Sequence, residues 1–202
     1  MGICYIVGAG DYTPLPEINK DDFIIAADGG FDSLARDGLT PNLLIGDLDS
    51  IKNAPPSIET LRFNEKKDET DMHLAYLEGA RRGFKSFALY GGTGGRADHT
   101  FANYSLLYYI TKAGHEAKLV DKKYEARVIE STETSLSGEV GKYFSVFAIG
   151  GKAHGISIKN AAYELENGTL SPEFPLGVSN RFCDTPTHLS VKSGALLIIS
   201  EK

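Results

Sequence analysis

The stretch "KSFALYGGTGGRADHTFANYSLLYYITKAG" (85–114) decides the fold. It opens with a short apolar run, Ser86–Tyr90, that stops at a cluster of glycines. It then continues as a segment in which Ala97, Phe101, Tyr104, Tyr108 and Thr111 recur at spacings of 4, 3, 4 and 3. The first half reads as a buried strand, and the second has the period of one packed helix face. Strand, glycine loop and helix in that order are the unit from which parallel sheets are built.

The same alternation runs outward in both directions. "ICYIVGAG" (3–10), "FIIAADGG" (23–30), "NLLIGDLD" (42–49), "ETLRF" (59–63) and "EAKLV" (116–120) are short strand-like runs, several ending in Gly or Asp. Helical patterns, "GFDSLARDG" (30–38) and "TDMHLAYLEGARRG" (70–83), lie between some of them. This predicts a mostly parallel sheet covered by helices on both faces, an α/β/α sandwich. After Asp121 the helical period disappears. "YEARVIES" (124–131), "YFSVFAIGG" (143–151), "AHGISIKN" (153–160), "HLSVKS" (188–193) and "ALLIIS" (195–200) follow at close spacing, the rhythm of a small antiparallel β-sandwich or barrel. The expected organisation is an α/β domain over 1–121 and an all-β domain over 122–202. A β-unit of that size folds only marginally alone, so covering one face with a partner is expected.

Charge excludes some functions. The 202 residues carry a net charge of −6, which argues against nucleic acid as a partner. Residues 1–121 hold 18 acidic against 12 basic residues, whereas 122–202 hold 9 of each. Twelve of the 13 aspartates lie in the first part, so the acidity is local. No apolar run approaches the roughly 18 residues of a membrane span. The start of the sequence lacks a secretory signal pattern, and Cys4 and Cys183 form no disulfide or metal framework. A cytoplasmic protein is expected.

Ligands bind parallel sheets outside the carboxyl ends of the strands. Four unusual stretches fall there. "ADGG" supplies Asp28, Gly29 and Gly30, "GDLDS" supplies Asp47 and Asp49, "KKDETDMH" supplies Thr70 and Asp71, and "GGTGGRADH" supplies Gly92, Thr93, Gly94, Gly95, Arg96, Asp98 and His99. Each has a plain structural reading. Thr70 or Asp71 suits a helix cap, Asp98 suits the positive end of its helix, and the glycines of "ADGG" suit a turn with positive φ. Together, however, that many carboxylates at one rim repel unless cations sit among them. Mg²⁺ is the natural choice, since it takes a few carboxylates and completes its shell with water and phosphate oxygens. The glycine loop before a helix provides an anion site, and Arg96 a forked contact to phosphate. A Mg–nucleotide site follows.

The reaction stays open on motifs alone. No P-loop is present. "GTGGRA" (92–97) matches G-x-G-x-x-A after a strand and before a helix, which suits a hydride-transfer enzyme with Asp121 as ribose ligand. A metal-dependent transferase of nucleotide sugars, and a nucleotide-binding protein without transferase activity, are further readings.

The ordered set "AADGG", "NLLIGDLDS", "KDETDMHLA", "GGTGGRADHTFAN" and "GVSNRF" resembles the thiamine pyrophosphokinase family of bacterial type. The resemblance implies an α/β domain followed by a β-sandwich, and a homodimer with its active site between the α/β domain of one chain and the β-domain of the other. It implies transfer of a pyrophosphoryl group from ATP to thiamine, giving thiamine diphosphate and AMP. By the same resemblance Asp47, Asp49 and Asp71 hold Mg²⁺ with Asp28 close by, and the loop contacts nucleotide chiefly through Arg96 and Asp98. Asp71 or Asp98 takes the hydroxyl proton, and Ser179 and Asn180 position thiamine together with Asp71. Animal and fungal relatives use a tryptophan near the thiamine ring. This chain has none, so Tyr163 or Phe182 is expected to supply the aromatic face. Lys67 stands where those relatives carry a polar amide.

Overall fold

A computed structural model of the chain describes residues 2–47, 57–63 and 68–202. Asp49 and Lys67 lie outside the described residues. The chain divides into two compact units, Met1–Leu106 with Gly114–Lys122, and Leu107–Ala113 with Lys123–Lys202.

The first unit contains β1 (Cys4–Val7), β2 (Phe23–Ala27), α1 (Gly30–Arg36), β3 (Leu43–Gly46), β4 (Glu59–Arg62), α2 (Asp71–Arg81), β5 (Ser86–Tyr90), the start of α3 (Ala97–Lys112) and β6 (Glu116–Val120). Its strands run β4-β3-β2-β1-β5-β6, and each pairing is parallel. Parallel strands are covered on both faces, which is why "CYIV", "LLIG" and most of "FIIAA" and "SFALY" are buried without alternation. Successive residues still point to opposite sides. Tyr5, Val7, Ile24, Ala26, Leu44 and Ala88 form one core with Leu34 of α1. On the other side Tyr76 of α2 meets Phe87 edge-on at 4.9 Å, and Gly79 of α2 lies against Phe87 and Cys4. "ETLR" is mostly exposed, as suits the edge strand β4.

Strand order grows from β1 towards β4 and then, on the other side of β1, towards β6. The connection therefore reverses between β1 and β5. In an open α/β sheet the crevice at such a reversal, beyond the carboxyl ends of the strands, is where ligands bind.

The expected packed face of α3 is not the one the structure buries. Ala97 is exposed, Phe101 is 72% exposed, and Tyr104, Tyr108 and Thr111 are only partly covered. The buried positions are Asn103, Leu106, Leu107 and Ile110. This stripe is turned from the expected one by one residue, about 100°. Both stripes have helical spacing, so period alone did not separate them. The aliphatic residues and a polar residue with a specific partner occupy the interior.

The second unit is antiparallel: β7 (Tyr124–Glu130), β8 (Glu133–Leu136), β9 (Tyr143–Lys159), β10 (Leu165–Leu170), β11 (Asn180–Arg181), β12 (Thr187–Ser190) and β13 (Ser193–Glu201), in the order β7-β13-β9-β12-β8, with β10 and β11 also on β9. The two runs expected as separate strands, "YFSVFAIGG" and "AHGISIKN", are one bent strand, β9. Gly150, Gly151 and Gly155 take positive φ there, and the pairing with β13 shifts register between Ser193 and Ala195. Glycines and a bulge let one strand bend without losing its ladder. Both halves of β9 feed one core, Phe144, Val146 and Ala148 from the first and Ile156 and Ile158 from the second, with Leu196, Ile198 and Phe182.

Candidate active site

The site begins with two backbone segments that continue β1 and β5 past the sheet. Gly8 N donates to Tyr90 O at 2.8 Å, Gly10 N to Gly91 O at 2.8 Å and Asp11 N to Thr93 O at 2.7 Å. A Cβ on Gly10 would lie 2.1 Å from Thr93 O, and one on Gly91 would lie 2.3 Å from Gly8 O. The chains approach this closely only because neither carries a side chain. Gly94 and Gly95 then take φ of +75° and +58° in succession, a conformation glycine adopts at little cost, before α3 begins.

Beside these segments lies a cavity of about 320 Å³, lined by Gly8–Gly10, Asp28, Thr70–Met72, Gly91–Arg96, His99 and Asn103. Of the sequence-predicted residues, Asp28, Thr70, Asp71, Gly92, Thr93, Gly94, Gly95, Arg96 and His99 thus meet around one volume. It is of the size that holds a small-molecule ligand. Gly8, Gly10, Met72 and Asn103 were not singled out from sequence. The signal for the first two was available, because "VGAG" ends an apolar strand and such a strand at the sheet's centre ends at the crevice.

The turn of "ADGG" differs from expectation. Gly29 has φ −57° and begins α1, and neither glycine takes positive φ. Asp28 does, at +47°, with its N–H donating to Ile45 O at 2.8 Å. Asp tolerates that region better than most residues, though at a cost. Gly29 and Gly30 do not line the cavity. A Cβ on Gly30 would lie 1.8 Å from Val7 O, so this glycine lets α1 start directly against β1. Asp47 follows Gly46, whose Cβ would come 3.3 Å from Asp28 Cα, so the chain passes Asp28 immediately before Asp47.

Thr70 is the N-cap of α2, its Oγ1 accepting from His73 N at 3.2 Å, and Asp71 is the first helical residue. The cap fixes where the helix starts and so places Asp71 at the cavity wall. Arg96 donates to Asp98 through Nε (3.1 Å) and Nη2 (2.6 Å), and Asp98 Oδ1 also accepts from His99 N at 2.9 Å. The Arg96 guanidinium, with the His99 amide, holds the Asp98 carboxyl down at about 2. The pair uses one edge of the guanidinium fork and leaves its Nη1 edge for another oxyanion.

The donor set fits Mg²⁺. Among the described residues no three His, Cys, Asp or Glu side chains gather as a metal cage. Mg²⁺ needs none, because it is commonly held by one or two carboxylates with water and phosphate oxygens filling the octahedron. Asp28 and Asp71 offer two hard carboxylates on the cavity that the glycine loop also lines.

Asp121 does not stand ready as a ribose ligand. It is 8% exposed and accepts from Thr93 Oγ1 at 2.5 Å, so the hydride-transfer reading loses its acidic partner.

In the second unit, Asn180 is 5% exposed. Its Oδ1 accepts from Tyr163 N (3.0 Å) and Arg181 N (2.9 Å), and its Nδ2 donates to Tyr163 O (2.6 Å). It clamps the segment at Tyr163 to the start of β11. Ser179 sits at φ +63° with its N–H donating to Ser145 Oγ, and Tyr163 is 64% exposed. Phe182 is 3% exposed and stacks on Phe144 at 4.8 Å, so it is core and not an aromatic face for a ligand.

Residues 16–119 match the family profile of the thiamin pyrophosphokinase catalytic domain, and residues 129–196 that of the thiamin pyrophosphokinase vitamin B1 binding domain. The chain is 26% identical to a thiamine pyrophosphokinase of Bacillus subtilis over 207 aligned residues, 96% of each protein. The crystal structure of thiamine pyrophosphokinase from Bacillus subtilis superposes with a TM-score of 0.87 at 25% identity, covering 99% of both chains. Thiamin pyrophosphokinase from Candida albicans shares the fold, with a TM-score of 0.76 at 15% identity over 100% of this chain and 89% of that one. These similarities give no support to the nicotinamide or non-catalytic readings. With both domain profiles matched in order, and the matched catalytic segment carrying every sequence-predicted residue of the cavity, the chain belongs to the thiamin pyrophosphokinase family.

Proposed function

We propose that the protein transfers the pyrophosphoryl group of ATP to the hydroxyethyl oxygen of thiamine, giving thiamine diphosphate and AMP, as a thiamine diphosphokinase acting in the cytoplasm. The observation that carries the reading is the convergence on one cavity of two carboxylates, Asp28 and Asp71, with a glycine loop and Arg96. Carboxylates suit a cation, and glycine N–H groups with a guanidinium suit phosphate.

In this reading Asp47, Asp49 and Asp71 hold Mg²⁺, with Asp28 beside them. When bound, the ion neutralises phosphate charge and polarises the reacting phosphorus. The glycine loop, Gly92–Gly95, and His99 lie along the nucleotide, and Arg96 meets the phosphates through its Nη1 edge while Asp98 holds the other. Asp71, at the cavity wall, takes the hydroxyl proton, while Asp98, held by both Nε and Nη2 of Arg96, acts by orienting that guanidinium. The hydroxyl oxygen of thiamine bonds to the β-phosphorus, the bond from that phosphorus to the bridging α–β oxygen breaks, AMP leaves, and the proton passes to Asp71. Transfer of this kind depends on alignment and charge stabilisation more than on covalent chemistry by the protein.

Thiamine is positioned by Ser179 and Asn180, with the exposed Tyr163 ring as aromatic face. Asn180 does this chiefly by fixing its neighbours, since its amide is engaged with Tyr163 and Arg181. The working unit is a homodimer, residues 1–121 supplying nucleotide and metal binding and 122–202 supplying thiamine binding and the dimer contact. Phe174, Leu176 and Val178, exposed next to Ser179, support an apolar contact there.

The test is turnover of purified protein with ATP and thiamine, with and without Mg²⁺. AMP and thiamine diphosphate in equal amounts only with Mg²⁺, and loss of both in Asp71→Asn, are expected. Absence of both products from the parent protein with Mg²⁺ would overturn the reading.

A further inference from the structure

The loop Gly91–Arg96 holds four glycines in six residues, three of them at positive φ. Such a segment loses much conformational entropy when it is fixed, so something must hold it for its N–H groups to stay in place. Two buried polar side chains do so from beneath. Asn103 on α3 donates Nδ2 to Gly92 O at 2.7 Å and is 4% exposed. Asp121, the residue after β6, accepts from Thr93 Oγ1 at 2.5 Å, with Thr93 3% and Asp121 8% exposed.

Burying a carboxylate and an amide is costly unless each is bonded, and an apolar pair would fill the same space more cheaply. Packing therefore does not account for them. Their bonds fall on two consecutive residues of the loop, while Gly10 N and Asp11 N hold Gly91 O and Thr93 O. Those carbonyls and the Thr93 hydroxyl are thereby engaged within the protein.

We infer that Asp121 and Asn103 are positioning residues for the nucleotide, acting through the loop: Asp121 lies outside the cavity lining and acts through Thr93, and Asn103, which reaches the lining, acts through Gly92 O. The inference rests on the ATP-dependent reading above and adds two residues to it. Thr93→Val keeps the shape and removes the hydroxyl, and Thr93→Ser restores it.

The experiment is calorimetric binding of Mg–ATP without thiamine, together with the KM for each substrate, on Thr93→Val, Thr93→Ser, Asp121→Leu, Asn103→Leu and the Thr93→Val/Asp121→Leu double variant. Thr93→Val is expected to weaken Mg–ATP binding roughly tenfold, the scale of one bond to a charged group. Thr93→Ser should recover most of this, and the KM for thiamine should stay within about twofold, since the loop does not meet it. The double variant should bind no worse than about twofold below the weaker-binding of the two single variants, because both changes remove the same Thr93–Asp121 bond. Amide exchange at residues 93–96 should quicken in Thr93→Val. Unchanged Mg–ATP binding in a folded Thr93→Val, an equal rise in KM for both substrates, or multiplied effects in the double variant would each overturn the inference. Should Thr93→Val not fold, failure of a folded Asp121→Leu to weaken binding decides against it. Because binding is read without thiamine, a wrong acceptor would sink the functional reading and leave this test intact.

Discussion

Replacing Gly30 by Ala tests whether the glycines of "ADGG" serve packing or ligand approach. The new Cβ would lie 1.8 Å from Val7 O, 2.5 Å from Val7 C and 3.1 Å from Gly8 N. All three are backbone atoms at the end of β1, the strand flanked by β2 and β5, and Val7 is fully buried. No side chain can swing aside, so α1 must move away from the sheet. Overpacking typically costs about 1–3 kcal/mol, and a rigid obstacle places this change at the upper end. Better helix propensity offsets at most about 1 kcal/mol of it. A net loss of about 2–3 kcal/mol corresponds to a Tm lowered by roughly 4–12 °C for a chain of this size. Gly29→Ala is the control: its Cβ would meet Ala9, the Cβ at 3.0 Å and the Cα at 3.8 Å, which asks for a shift of only a few tenths of an ångström, and φ is already helical, so it should cost clearly less than Gly30→Ala. Thermal melts of both variants give the answer. A Gly30→Ala protein that melts within about 1 °C of the parent yet binds Mg–ATP poorly would refute the packing argument.

Other consequences are simpler to check. The Cys4 thiol, fully buried, is pushed up to about 12 by burial, whereas Cys183 is partly exposed. A thiol reagent at pH 8 should therefore titrate one cysteine in the folded protein and two after denaturation. Because the unfolded Cys4 loses its proton near 9 and the folded one near 12, stability should fall as pH rises through that window. For Asp98 the sign is opposite. Its folded value of about 2 lies below the ordinary 3.8, so whatever its pairing contributes is present above 3.8 and lost as pH falls towards 2. Arg96→Ala should return the carboxyl titration, followed by NMR, towards 3.8 and flatten the fall in stability between pH 3.8 and 2, with only a small loss at pH 5–8 because the pair is exposed. Asn180→Ala should cost about 1–3 kcal/mol in urea denaturation, since it leaves the Tyr163 amide and carbonyl without their partner; a cost near zero would contradict the clamp.

The α/β part of the fold was legible because its signals are local. Apolar runs such as "CYIV" and "LLIG" end in Gly or Asp where the chain leaves the sheet, and the helices between them keep their period. Which face of α3 goes inward was not, because Asn103, Leu106, Leu107 and Ile110 form a stripe compatible with a helix just as Phe101, Tyr104 and Tyr108 do. Nor was the continuity of β9, since Gly150 and Gly151 look like a turn and here bend a strand. At the site, Asp28, Asp71 and Arg96 were legible from their motifs, and the structure gathers them on one cavity. Asn103 was not, and Asp121 was so only as a ribose ligand. Their role lies in bonds across 11 and 28 residues of sequence, which only the folded chain brings together. Gly30 shows the converse: a motif glycine whose reason is the closeness of a helix to a strand.

The most direct measurement follows the label of [β-³²P]ATP incubated with thiamine and Mg²⁺. Attack at the β-phosphorus with AMP leaving puts all the label that reacts into thiamine diphosphate and none into free nucleotide product. Label retained in ADP, with unlabelled thiamine monophosphate formed beside it, would show attack at the γ-phosphorus and contradict the central claim.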